Sequence, residues 1–137
     1  AAYEVEDVVY MVRAVHAERV VFHDGDAVIA PGIEVYRIGG HTRGLQAVRI
    51  ATERGNVVLA SDTSHYFENF EQGRIFSIVD SAAAVLEGYR RLRELAARPE
   101  LIVPGHDPLV MRRYPPSDDR LQGVAVRLAV NPITPRI

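Results

Sequence analysis

The chain has 137 residues, of which 47% are hydrophobic and 25% are charged, and its formal net charge is −2. This length and composition predict one globular domain with a buried core. The charged residues form no basic stripe, which argues against a nucleic-acid partner, and no apolar run approaches the ~20 residues of a membrane-spanning helix.

The sequence contains no cysteine, which excludes disulfides and thiolate metal ligands. This is compatible with a reducing cytoplasm, the location that we expect. Any metal must then be bound by His, Asp, Glu or backbone oxygen, a ligand set that suits zinc, manganese or iron. The first residues lack the features of a signal peptide. They also lack an initial Met, as expected of a processed chain or of a fragment of a longer one.

The N-terminal part of the chain predicts one helix followed by short strands. Residues 4–17 repeat apolar side chains at helical spacing, with acidic residues near the start, where the helix dipole favours them. Residues 20–23 and 27–30 are short strand candidates on either side of an Asp-Gly turn. Residues 33–38 alternate and are rich in β-branched side chains, so they predict a further strand.

A β-hairpin is predicted next, with strands at residues 45–50 and 56–60 joined by a turn at residues 53–56. Residues 63–79 show no clear period and contain several aromatic side chains. They predict a long loop, and ordered loops of this length are usually functional.

The C-terminal part predicts a helix between strands. Residues 81–98 have helical periodicity, and Asp80 or Ser81 is the expected N-cap. Residues 101–103 predict a short buried strand, and residues 124–130 are the last strand candidate. The whole pattern predicts two or more packed layers of mixed α and β structure.

Three side chains of metal-ligand type lie at predicted strand ends. His41 follows a glycine pair, and Asp62 and His106 follow apolar strands. Because a sheet fixes the positions of its strand ends, these side chains can converge. Two histidines and one carboxylate are an ordinary ligand set for a hydrolytic zinc site. The two oxygens of Asp62 could also bridge two metal ions.

Each of these residues also has a simpler interpretation, and only their combination indicates a metal site. Taken alone, His41 can be a histidine of an ordinary loop. Asp62 can be the cap of a turn or helix, and His106 can be a residue of a surface turn. His65 fits both a pocket role and an ordinary loop role. Tyr66 fits a core position, but its phenol could donate a hydrogen bond to a carbonyl oxygen or to the oxyanion formed from it.

Three motifs together resemble the later metal-binding motifs of the metallo-β-lactamase superfamily. They are Gly-His-Thr-Arg-Gly at residues 40–44, Leu-Ala-Ser-Asp at residues 59–62, and Ile-Val-Pro-Gly-His-Asp at residues 102–107. Residues 61–69 and 88–96 are similar, more narrowly, to the N-acyl homoserine lactonase group. The resemblance implies an α+β fold. It implies the C-terminal half of an αββα sandwich, with a mixed or antiparallel sheet flanked by helices.

The resemblance also implies a function and a set of site residues. It implies a metal-dependent hydrolase acting on a small lactone or ester, most specifically the lactone ring of N-acyl homoserine lactones, as in quorum quenching. His41, Asp62 and His106 would be metal ligands, with Asp62 bridging and acting in catalysis, and Tyr66 or His65 would assist. The implied cofactors are two zinc ions in a complete parent protein, with iron or manganese as alternatives.

Two departures from the family pattern limit this expectation. The leading motif His-x-His-x-Asp-His is absent, so residues 1–137 are expected to form a single partial domain. Such a half would associate with its missing N-terminal half or form a homodimer. Leu45 stands where many relatives have a further, supporting histidine. One alternative is another hydrolase of the same fold, such as a glyoxalase-II-like thioesterase. The other is a non-catalytic association module.

Overall fold

The fold is organised around one mixed sheet whose five strands lie side by side in chain order. The computed structural model describes residues 3–133. The first four strands form an antiparallel meander, and the fifth joins the fourth in parallel. The strands are β1 (Ala27–Ala30), β2 (Ile33–Arg37), β3 (Gln46–Thr52), β4 (Gly55–Leu59) and β5 (Ile102–Val103).

Within residues 3–133, four α-helices accompany this sheet: α1 (Val5–His16), α2 (Phe67–Gln72), α3 (Ala82–Leu95) and α4 (Leu109–Arg113). The crossover from β4 to its parallel neighbour β5 contains α2 and α3. The hydroxyl of Ser81 accepts a hydrogen bond from the Ala84 N–H at 3.3 Å and caps α3, one of the two caps expected. The buried face of α3 packs on the sheet in a core that includes Val85, Tyr89 and Leu92. None of the helices among residues 3–133 has the length and apolarity to cross a bilayer.

The sheet face opposite α3 is aliphatic. Paired strand residues share a face, and the register places Val35 opposite Val48 and Val48 opposite Leu59. The C-terminal segment covers part of this face, because Leu128 packs against a second core formed by Val57, Leu101 and Val103. Ile33, also on this face, is 38% exposed. All the strands of residues 3–133 lie in one sheet, as expected of one half of a sandwich.

The structure confirms most predicted elements, namely the first helix, the strands over residues 27–30 and 33–38, the hairpin, the long helix and the strand near residue 102. Residues 20–23 are not a strand. Val21 and Phe22 are 76% and 72% exposed, and the described part of the chain offers them no neighbouring strand.

The strand predicted over residues 124–130 is also wrong. This segment makes only an isolated bridge between Val126 and Pro116. The Arg54 guanidinium donates to the carbonyls of Leu128 and Val130 at 2.8 and 2.6 Å. The Arg54 side chain therefore occupies backbone carbonyls that a strand would need for its hydrogen bonds to a neighbouring strand.

The long loop predicted over residues 63–79 contains α2. The Asn69 side chain accepts the Tyr66 N–H at 2.8 Å and starts the helix. Gly73 ends it in the left-handed conformation, with φ +68°. Local capping by polar groups thus forms a short helix that apolar periodicity does not reveal.

We predict that Gly55→Ala destabilises the hairpin by about 1–3 kcal/mol. Gly55 has φ +102°, and an added Cβ would lie 2.7 Å from the Cβ of Ala97. Gly73→Ala is the matched control, because that glycine also has positive φ but nothing lies within 4 Å of its added Cβ. Urea unfolding should show a larger loss for Gly55→Ala. Equal losses would mean that the contact with Ala97 relaxes without cost.

Candidate metal centre

The loop that carries His41 is held against the start of α3. Gly40 has φ +93°, and a Cβ there would lie 2.8 Å from the side chain of Val85, so only glycine permits this approach. The Gly40 carbonyl accepts hydrogen bonds from the N–H groups of Asp80 and Ser81 at 2.8 and 3.0 Å. The residues that begin α3 therefore fix the backbone position of the loop that carries His41.

The imidazole of His41 is oriented by a second hydrogen bond. Its Nδ1 lies 2.7 Å from the carbonyl oxygen of Ile78, so Nδ1 carries the proton and donates. Nε2 then has a free lone pair, and it lies 3.9 Å from Oδ2 of Asp62. A histidine held in this way by its other nitrogen is typical of metal ligands.

Asp62 lies in a tight turn at the end of β4. The turn spans Ser61–Thr63, and Ser61 adopts φ +50°. Gly105 on the loop after β5 approaches this turn so closely that an added Cβ would lie 2.7 Å from the Ser61 carbonyl oxygen. The two loops are therefore in direct backbone contact.

Two backbone hydrogen bonds extend this contact. The N–H of Gly105 donates to the Ser64 carbonyl, and that of His106 donates to the His65 carbonyl, both at 2.9 Å. The rings of His65 and His106 are consequently 4.6 Å apart. His106 Nε2 donates to Asp62 Oδ1 at 2.6 Å, and His65 Nε2 lies 3.6 Å from the same oxygen.

The two carboxylate oxygens of Asp62 therefore have different histidine neighbours. Oδ1 faces His65 and His106, whereas Oδ2 faces His41. The ligand atoms of Asp62, His65 and His106 all lie within 4.8 Å of one another. Ligand atoms bound to one zinc ion at about 2.0–2.2 Å lie roughly 3–4 Å apart. The 3.6 Å between His65 Nε2 and Asp62 Oδ1 matches this spacing, whereas the 2.6 Å between His106 Nε2 and Oδ1 is that of a hydrogen bond, so His106 would have to move slightly to share an ion.

Comparison with known proteins finds similar sequences among N-acyl homoserine lactonases. No family model matches the chain. The chain is 40% identical over 86 residues to an N-acyl homoserine lactonase of Bacillus sp and 38% identical to one of Bacillus cereus. Each match covers 61% of this chain and 34% of the relative. The chain therefore spans about a third of the length of these curated relatives.

Solved structures agree with these matches. An N-acyl homoserine lactone hydrolase with N-hexanoyl-L-homoserine at its catalytic metal centre shares 32% identity, with a TM-score of 0.57. The match covers 64% of this chain and 36% of that one. The chain has the metallo-β-lactamase fold, and its sequence is similar to that of these lactonases over the matched part. A probable metal-dependent hydrolase from Staphylococcus aureus has the same fold, with a TM-score of 0.56 at 14% identity over 72% of this chain and 35% of that one.

His65 is largely enclosed, as His41 is, whereas His106 is more exposed. The His65 side chain is 22% exposed, and its ring stacks on Phe76 with centroids 3.8 Å apart. Burial lowers the pKa of His65, and charge on His106 and His41 lowers it further, whereas Asp62 opposes the change. Imidazole must be neutral to bind a metal, and this environment favours that form.

Tyr66 lies at the edge of the cluster. It precedes α2 as its N-cap residue, and 45% of it is exposed. Its ring centroid is 6.5 Å from that of His65. Of the two residues predicted to assist catalysis, the structure brings His65 to Asp62 and leaves Tyr66 beyond it.

Asp107 supports the site in a way that sequence reasoning missed. Its buried carboxylate accepts the Phe67 N–H at 3.0 Å and the Leu109 N–H at 2.9 Å, so it joins the starts of α2 and α4. The signal was present, because Asp followed by Pro and an apolar residue is typical of a helix N-terminus. The contact with Phe67 is long-range and has no local signature.

We predict that Asp107→Ala lowers the free energy of unfolding by about 1–3 kcal/mol, because two buried N–H donors lose their acceptor. Chemical denaturation monitored by circular dichroism measures the loss. Asp119→Ala, at an exposed position, is the control and should change stability little. A loss no larger than that of the control would contradict the double capping role.

Proposed function

We propose that the complete protein containing this chain is a metal-dependent hydrolase that opens the lactone ring of N-acyl homoserine lactones and so quenches quorum signals. The observation that carries the proposal is the placement of Asp62 between histidines from three loops. The fold and the sequence are similar to those of proteins named as such lactonases. The chain spans only part of these relatives, so the activity is proposed for the whole protein.

The residues present would hold the metals as follows. Asp62 would bridge two ions through its two oxygens, with His41 on one side and His106 on the other. Bound zinc would supply an activated water and polarise the lactone carbonyl. The hydrogen bond from His41 to the Ile78 carbonyl keeps Nε2 available, and the Nε2 proton of His106 must leave before that nitrogen can bind a metal.

The acceptor oxygen of the carbonyl needs a hydrogen-bond donor as charge develops on it. Tyr66 or His65 is proposed for this role. Tyr66 is suited to donate this hydrogen bond because it is exposed and its ring lies next to that of His65. Zinc is the proposed metal, and iron and manganese remain alternatives, since nitrogen and oxygen ligands accept all three.

The remaining sequence predictions concern the setting of this site. Residues 1–137 are proposed to be one partial domain that associates with an N-terminal half or with a second copy. The aliphatic sheet face, with Ile33 partly exposed, supports such an association. A cytoplasmic location and the lack of nucleic-acid or membrane partners remain predictions.

We predict that His106→Ala in the complete protein lowers both zinc content and hydrolysis of N-hexanoyl homoserine lactone, the latter by at least about 100-fold. Elemental analysis and titration of the acid released on ring opening measure the two effects. His23→Ala is the control, because His23 is exposed and lies outside the cluster.

Full lactonase activity in His106→Ala would contradict the assignment. Activity of the unsubstituted protein on thioesters but not on lactones would favour the glyoxalase-II-like alternative. Absence of both activities in the zinc-loaded complete protein would favour the non-catalytic association module.

A further inference from the structure

We propose that His65 is a metal ligand and that it completes, with Asp62 and His106, a three-ligand site provided entirely by this chain. The inference rests on the proposed metal-dependent function, but it changes the ligand set of that site. His65 would bind the ion on the Oδ1 side of Asp62 instead of assisting at the substrate.

The distances separate ligation from hydrogen bonding. His65 Nε2 lies 3.6 Å from Asp62 Oδ1, which is too long for a hydrogen bond. It is within the roughly 3–4 Å that separates two ligand atoms on one zinc ion. Each of the three residues offers one ligand atom to a common space, since these atoms all lie within 4.8 Å of one another.

The backbone and the aromatic contacts hold His65 in this position. Its carbonyl accepts the His106 N–H at 2.9 Å, so a backbone hydrogen bond links the two histidines directly. Its ring stacks on Phe76 at 3.8 Å with an interplanar angle of 18°. A ligand that is already positioned loses little freedom when it binds a metal, which raises affinity.

His41 does not belong to this group of three ligands. Its Nε2 lies nearest to the other carboxylate oxygen, Oδ2, at 3.9 Å. The chain therefore has three ligands on the Oδ1 side of Asp62, whereas on the Oδ2 side His41 is the only histidine in the part of the chain that the structure describes. Three protein ligands with one open position are sufficient for a catalytic zinc site. We thus expect the 137-residue chain to bind one ion by itself.

The test is a metal titration of the 137-residue chain, followed by calorimetry with zinc and by visible absorption with cobalt(II), which reports ligand number and geometry. The unsubstituted chain should bind one equivalent of zinc. His65→Phe keeps the aromatic stack on Phe76 but removes the nitrogen, and it should lower zinc affinity at least tenfold and change the cobalt spectrum. His41→Phe should cost less than His65→Phe, and His16→Phe, on exposed α1, should have no effect.

Circular dichroism establishes that each variant is folded. A second measurement needs no variant: in the unsubstituted chain, the ¹⁵N resonances of the His65 ring should shift on addition of one equivalent of zinc. If His65→Phe does not fold, this measurement decides alone.

Two results would overturn the inference. One is zinc binding with unchanged His65 resonances, or a smaller loss of affinity in His65→Phe than in His41→Phe. The proposed lactonase would then retain His41, Asp62 and His106 as its ligands. The other is the absence of zinc binding by the folded chain. That result leaves the activity of the complete protein to be decided by the lactone assay.

Discussion

The candidate site depends on the pairing of two loops that follow neighbouring parallel strands. Strands β4 and β5 end at the same edge of the sheet, because parallel neighbours point the same way. Hydrogen bonds from Gly105 to Ser64 and from His106 to His65 continue this pairing beyond the strands. Asp62, His65 and His106 therefore meet as a direct result of sheet topology. The absence of a side chain at Gly105 permits the close approach.

His41 reaches the same carboxylate by a different route. Its loop follows β2 and is fixed to the start of α3 through the Gly40 carbonyl. Helix α3 packs on the sheet through the main core, so the position of His41 depends on the packing between helix and sheet. The two sides of Asp62 are thus stabilised by different interactions, backbone pairing on one side and helix packing on the other.

The sequence predicted the five strands of the sheet and placed three side chains of ligand type near strand ends, because apolar runs followed by His or Asp carry that information locally. The position of His65 could not be predicted, since it depends on backbone pairing with a loop some forty residues away, at His106. The same reason explains Asp107, whose contact with Phe67 spans a similar separation. The strand predicted over residues 20–23 was wrong because strand propensity gives no structure without a partner.

The candidate metal site and the sheet differ in what they require from the rest of the protein. On the Oδ1 side, Asp62, His65 and His106 are held by contacts within this chain, and no further layer is needed to position them. The aliphatic sheet face is covered only in part, by the segment around Leu128, and Ile33 remains partly exposed. An apolar sheet face is stable when a second layer covers it. A second layer would therefore serve the hydrophobic face and the Oδ2 side of Asp62, where His41 is the nearest histidine, more than the cluster that faces Oδ1.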